Sequence, residues 1–384
     1  MTSQQPVLAI VVPDLFHATQ TFFHEHIARI APGRTVVVHL SATGRPALTD
    51  VPVCEVPMLP PLPDTSMPVL GKLLTVGNTW FTSRLGATDQ SRIVGFLREN
   101  GVTHLFAEFA TSGALILPIA ERLGLPLTVL SHGWDINIMG EGRVWRQRYD
   151  RLFASKARLA AVCEFLRGRM LALSAPPEKV RIIPCAVDAA SLLPVSHERD
   201  ASQVVMVCRL IEQKGPLHAL RAFGLAHRER PGLTLDVAGN GPLMPDLLRE
   251  VEVLGLGDAV TVHGDMDHAA TLDLIGRSQI FIQHCVTLPG AGIESQAISL
   301  LEAMGHGLVP IVTRHGGMAD HAAEGARGWL VEERDEAAMA ERIVAMHDDA
   351  DTRRRIGAEA RNYVLDNFSR ERVYPILRET IGLD

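Results

Sequence analysis

The 384 residues, 47% hydrophobic and 21% charged, exceed the usual size of one hydrophobic core and have an ordinary globular composition. A disordered or fibrous chain is excluded, and two domains are the expectation. The net charge of −7 is uneven: residues 1–190 carry 18 Lys+Arg against 15 Asp+Glu, and residues 191–384 carry 19 against 29.

Residues 143–181 alone hold ten basic and three acidic side chains, the composition of a face that meets an anionic partner, a membrane surface or only solvent. Cys54, Cys163, Cys185, Cys208 and Cys285 are scattered without a Cys-x-x-Cys pair. That predicts reduced thiols in a cytoplasmic protein and argues against a zinc site. The opening residues lack a basic region and a long apolar core, so no signal peptide is expected. No run approaches 18 apolar residues, so no membrane span is expected. Without a basic stripe interleaved with aromatics, nucleic acid is not an expected partner.

Residues 7–12 are continuously apolar, as a parallel strand buried on both faces requires. A helix over 21–30 and a strand over 35–40 complete a βαβ unit, and a strand over 53–56 follows. Four prolines within 57–64 impose an extended loop. The apolar stretch 68–85 reads as a helix covering the sheet, or as an amphipathic segment that touches lipid or acceptor. Next come helix 90–100, strand 104–107, helix 112–123 closed by Gly124, and strand 127–130, which runs into Ser131-His132-Gly133-Trp134-Asp135. Helix 143–153, strand 160–162, helix 164–173 and strand 180–183 end a first domain, 1–188. Residues 189–202 are polar and aperiodic, a linker by composition.

A second alternating series fills 203–368: strand 204–207, helix 216–228, strand 233–238, helix 244–254, strand 260–263, helix 269–277, strand 280–283, helix 297–304, strand 309–312 and helix 318–324. Helices over 336–348, 351–367 and 370–381 are charged and amphipathic. The last, within 369–384, is expected to cross back onto the first domain. Alternation in both halves predicts an α/β protein with two doubly wound domains facing across a cleft.

The candidate site is organised around Glu294 and Glu302, eight positions apart across a stretch of helical composition. On one helix they would lie about 12 Å apart, the reach of a diphosphate with a sugar at each end. A helix starting just after Glu294 would also offer free N–H groups to an anion. Arg209, Lys214 and Gly215 follow the first strand of the second domain, and two cations there can neutralise a leaving diphosphate. Gly239-Asn240-Gly241-Pro242 is a tight turn but not a dinucleotide fingerprint, since position 244 is Met. His263-Gly264-Asp265-Met266-Asp267-His268 has metal-ligand composition without a partner cluster. His24-Glu25-His26 reads as a polar helix face, and His132 sits at a strand's carboxyl end, where open α/β sheets keep ligands. Each of these taken alone also fits a solvated or structural residue.

Taken together these pieces resemble family 4 of the retaining, nucleotide-sugar-dependent glycosyltransferases, with the GT-B fold of two Rossmann-like domains. The resemblance rests on Cys208-Arg209-Leu210 with Lys214-Gly215, on Gly239-Asn-Gly241-Pro242, and on the Glu294–Glu302 pair within Leu301-Glu-Ala-Met-Gly-His-Gly-Leu-Val-Pro310. His315-Gly-Gly317, Gly328-Trp-Leu-Val331, His132-Gly-Trp-Asp135 and Thr19-Gln-Thr21-Phe22-Phe23 complete it. It implies that Arg209 and Lys214 bind the donor diphosphate, with Gly215 and Gly241 lining that site. Glu302 would bind ribose and Glu294 the donor sugar, with the N–H groups of Gln296, Ala297 and Ile298 cradling phosphate. His132 would lie beside the sugar, and Thr19, Thr21 and Asp135 would contact the acceptor. The implied reaction moves a hexosyl group from a UDP- or GDP-sugar to a sugar or lipid-linked saccharide, with no cofactor or metal and possible contact with the inner membrane face. A nucleotide-sugar 2-epimerase and a non-catalytic sugar-nucleotide binder are the alternatives. The sequence departs from the family at Asp14-Leu-Phe-His17, where Gly-Gly is common, at Ser295 and at Gln283-His-Cys-Val-Thr287.

Overall fold

The computed structural model describes residues 5–13, 22–41, 50–58, 84–192, 202–290 and 292–384. The Asp14–His17 departure, Thr19, Thr21, almost all of the 68–85 stretch and most of the proposed linker lie outside them. The chain divides into two compact units, Met1–Pro184 with Tyr374–Asp384, and Cys185–Val373.

The first unit holds a seven-stranded sheet. Its strands are β1 (Leu8–Val12), β2 (Thr35–Ser41), β3 (Val53–Pro57), β4 (His104–Glu108), β5 (Leu127–Ser131), β6 (Arg158–Ala161) and β7 (Val180–Ile182). They run in the order β3-β2-β1-β4-β5-β6-β7, with every pair parallel. All five residues of β1 and of β5 are buried, including the polar Thr128 and Ser131, so both are central strands covered on both faces. Helices α1 (Phe22–Arg29), α2 (Ala87–Glu99), α3 (Ala110–Leu123), α4 (Trp134–Asn137), α5 (Arg143–Ala154) and α6 (Glu164–Ala172) connect them. The four-residue α4 is not visible as a periodic pattern. Residues Tyr374–Asp384 are fastened to this unit by polar contacts: Arg378 donates to the Ile30 carbonyl (2.8 Å) and Arg158 to the Ile381 carbonyl (2.8 Å).

The second unit holds β8 (Gln203–Val207), β9 (Thr234–Ala238), β10 (Val260–Gly264), β11 (Ile280–Gln283), β12 (Val309–Thr313) and β13 (Trp329–Val331) in the order β10-β9-β8-β11-β12-β13, again all parallel. Its helices are α7 (Pro216–Glu229), α8 (Met244–Val253), α9 (His268–Arg277), α10 (Ile298–Gly305), α11 (Met318–His321), α12 (Glu336–Asp348), α13 (Ala350–Phe368) and α14 (Arg370–Ile381), the last ending in the first unit. Side-chain carboxylates cap α9, α12 and α13: Asp267, Asp335 and Asp349 accept from Ala270, Ala338 and Thr352 N–H.

Two sequence expectations need correction here, and one strand was not anticipated. Residues 329–331 form an edge strand too short to show a period. Helix 318–324 stops at His321. The unit boundary falls before Cys185: Gln296 holds Cys185 by its backbone (2.8 and 3.3 Å), Val187 N–H donates to Phe368 O (2.8 Å), and Leu192 joins the core.

Candidate active site

In the second unit the strand order reverses between β8 and β11, the point where an open α/β sheet receives ligands at its carboxyl ends. Two loops leave the sheet there. One runs from β8 through Arg209 and a single 3-10 turn, Glu212–Lys214, into α7. The other runs from β11 to Glu294 and α10. They close against each other at Gly215, whose φ is +57° and where a Cβ would overlap the His284 carbonyl. Only glycine fits both the left-handed backbone and the close approach. The Val286 N–H donates to the Gln213 carbonyl (2.9 Å) and ties the loops again.

This contact brings Lys214 onto Glu294, Nζ to Oε2, in a direct ion pair whose side chains are 12% and 15% exposed. Burial disfavours both charges, but each stabilises the other. Glu294 is held below the usual carboxylate range, and the Lys214 ammonium is pushed up to about 12. Arg209 is exposed and makes no ion pair among the described residues. The Gly239–Pro242 turn packs on the same loop, with Leu210 N–H donating to the Asn240 carbonyl (2.9 Å).

Glu294 is fixed by its own backbone. Its N–H donates to His315 Nε2 (3.1 Å), and its carbonyl accepts from Gly317 N–H (2.9 Å). Gly316, at φ +50°, lies so close to that carbonyl that a Cβ would overlap it, which explains the first glycine after His315. Because His315 Nε2 accepts, its proton sits on Nδ1 and is donated to Glu333 Oε1 (2.7 Å). Burial works against ionisation of Glu333, but Thr287 N–H and hydroxyl (both 2.7 Å) and His315 hold its carboxyl below the usual range.

α10 starts at Ile298, within one residue of the 297–304 expectation and not just after Glu294, so Glu294 and Glu302 do not share one helix. Residues 294–297 are diverted because Gln296 spends its carboxamide on Cys185 and Glu294 its backbone on His315 and Gly317. The N–H groups of Gln296, Ala297 and Ile298 donate to no group among the described residues, which leaves them as anion donors at the head of α10. Glu302, 11% exposed in its side chain, meets His268 Nε2 at 2.7 Å. His263 instead meets Asp236 (2.6 Å), and among the described residues no group of three His, Cys, Asp or Glu could hold a metal.

Burial pushes the His284 and His321 imidazoles down to about 4. Unfolded, they protonate near 6.5, so the unfolded state binds more protons between pH 6.5 and about 4. Their contribution to stability is therefore complete above pH 6.5 and lost as pH falls through that window. At about 1.4 kcal/mol per pKa unit, the melting temperature should drop steeply there. A flat profile from pH 6.5 to 4.5 would contradict the buried neutral histidines.

In the first unit, His132 follows β5 and its Nε2 meets Glu108 Oε2 at 2.7 Å. Glu108 ends β4 with no exposed surface, and its other oxygen bonds His26 Nδ1. Burial opposes its charge, but the His26 charge and the two histidine hydrogen bonds bring the Glu108 carboxyl down to about 2. His26 is only 2% exposed, so the polar-face reading of residues 24–26 is corrected for His26, while His24 is exposed and Glu25 partly so. Phe22, Phe23, His26, Ile27 and Ile30 recur at helical spacing, and that stripe was the available signal. Asp135 is also fully buried. Oδ2 accepts from Ala110 N–H (2.7 Å) and Oδ1 from Gly133 N–H (2.9 Å) and His132 N–H (3.3 Å). It braces the His132 loop and the start of α3 and offers no surface to an acceptor, which corrects that expectation.

Two parallel doubly wound sheets in two units are the architecture of the GT-B fold. Two family models match, "Glycosyltransferase Family 4" over residues 34–191 and "Glycosyl transferases group 1" over 194–363, and the chain belongs to glycosyltransferase family 4. WcaL of Escherichia coli, whose name assigns it provisionally to colanic acid biosynthesis, is 25% identical over 308 residues, 77% of this chain and 76% of that protein. The amylovoran biosynthesis glycosyltransferase AmsK of Erwinia amylovora is 25% identical over 239 residues, 60% of this chain and 58% of that one. Among solved structures, HepE of Anabaena in complex with UDP superposes with a TM-score of 0.75 at 16% identity, covering 98% of this chain and 99% of that one.

Proposed function

We propose that this chain moves a hexosyl group from a nucleotide diphosphosugar, with UDP or GDP as the nucleotide, to a hydroxyl of a sugar or lipid-linked saccharide in polysaccharide biosynthesis. The observation that carries the reading is the switch point of the second unit. There Arg209, the Lys214–Glu294 pair and the N–H groups of Gln296, Ala297 and Ile298 gather beside Glu302. The names of WcaL and AmsK support the polysaccharide setting, and the UDP in the HepE complex supports the donor class.

In this reading the bond from the anomeric carbon to the diphosphate oxygen breaks through an oxocarbenium-like transition state. Arg209, Lys214 and the α10 N–H groups stabilise the charge that develops on the leaving diphosphate. The acceptor oxygen bonds to the anomeric carbon from the same face, with retention, and its proton passes to the departing phosphate oxygen. Glu294 holds sugar hydroxyls, Glu302 the ribose, and His132 the transferred sugar. The cations take the place a metal would have. The basic run 143–181 suits a diphosphate-linked lipid acceptor at the inner membrane face, and no helix among the described residues is long and apolar enough to cross a membrane.

Incubation with UDP- and GDP-sugars, an oligosaccharide or lipid-linked acceptor and EDTA should give glycosylated product at the rate seen without chelator. Loss of turnover restored by Mg²⁺ or Mn²⁺ would overturn metal independence. Sugar-nucleotide interconversion without acceptor would instead identify an isomerase.

A further inference from the structure

The buried carboxylate of Glu108 is used by none of the steps above, yet it touches two histidines. An ionised carboxylate only accepts hydrogen bonds, so each ring nitrogen facing it carries a hydrogen: Nδ1 of His26 and Nε2 of His132, the latter at 2.7 Å. A carboxylate with no exposed surface is costly to ionise unless paired, and the two imidazoles are what pair it.

The His132 ring is confined on its faces as well. Phe22 stacks on it at 4.4 Å with planes 26° apart, and Phe109 meets it edge-on at 5.0 Å. Its backbone is pinned through Asp135. Phe109, the residue after Glu108, has φ +71° and ψ 142°, a conformation that non-glycine residues rarely adopt. Strain of that kind persists where surrounding contacts over-determine the backbone. It lies at the joint that aims Glu108.

We propose that Glu108 is a positioning residue that holds His132 in the Nε2–H tautomer and in the ring orientation with which it meets the transferred sugar. The part concerning the sugar rests on the function proposed above. The tautomer assignment stands without it.

The test has two arms. In the first, side-chain ¹⁵N spectra of the intact wild-type protein, with His132 assigned by loss of its signal in His132→Asn, should show hydrogen on Nε2 from pH 6 to 8. A neutral Nδ1–H tautomer would overturn the proposal even if no donor were ever turned over. In the second, Glu108→Gln keeps the side chain's size and removes its charge. It should lower kcat on the order of 10–100-fold, as loss of a charged hydrogen bond does, with donor KM nearly unchanged. In the His132→Asn background the same substitution should have little further effect, because the two act as one unit. Multiplicative losses in the double variant would assign Glu108 a purely structural role. If Glu108→Gln failed to fold, the wild-type spectra would still decide.

Discussion

Lys214→Ala is expected to lower kcat/KM by on the order of 10²–10³-fold, the usual cost of removing one donor from a developing oxyanion. The same substitution leaves Glu294 15% exposed and without its cation, and breaking a buried pair in this way costs about 3–5 kcal/mol of stability. The two effects separate in a double variant. Lys214→Ala with Glu294→Gln removes the stranded charge and should recover most of the melting temperature, but not the turnover. Steady-state kinetics beside thermal melts on both variants would show this. Wild-type kcat/KM in Lys214→Ala would remove the lysine from the reaction. An unchanged melting temperature would mean that the pair is not held as the structure has it.

Glu302→Ala is expected to weaken nucleotide binding by about 10–100-fold, the worth of one hydrogen bond to a charged group. Glu302 is engaged with exposed His268 at 2.7 Å, so ribose hydroxyls would have to displace that imidazole. His268→Ala should therefore leave nucleotide affinity equal or raise it, in the direction opposite to Glu302→Ala. Isothermal titration with UDP and GDP on both variants measures this. Equal affinity in Glu302→Ala and wild type would exclude Glu302 from the donor site.

Much of the framework was legible in the chain. The strand 8–12 is a continuous apolar run because a parallel strand is buried on both faces, and that requirement acts residue by residue. Arg209, Lys214 and Glu294 each fit a solvated residue when taken alone, and stood out because the motifs around them together resemble one family. That α10 begins only at Ile298, as the 297–304 reading has it to within one residue, and not just after Glu294, has a physical reason. Helical composition extends back to Glu294, but Cys185, His315 and Gly317, distant in sequence, capture the hydrogen-bonding groups of residues 294–296. The Glu333–His315–Glu294 connection was invisible for the same reason, since its members are separated by 18 and 21 positions.

The sequence by itself determined two alternating α/β units and the residue types of the candidate donor site, because periodicity, glycine turns and charges at strand ends are local properties. Only the tertiary structure decided which groups meet. Lys214 reaches Glu294 across 80 positions and His26 reaches Glu108 across 82, and such pairs follow from sheet order and loop closure, which no local pattern encodes.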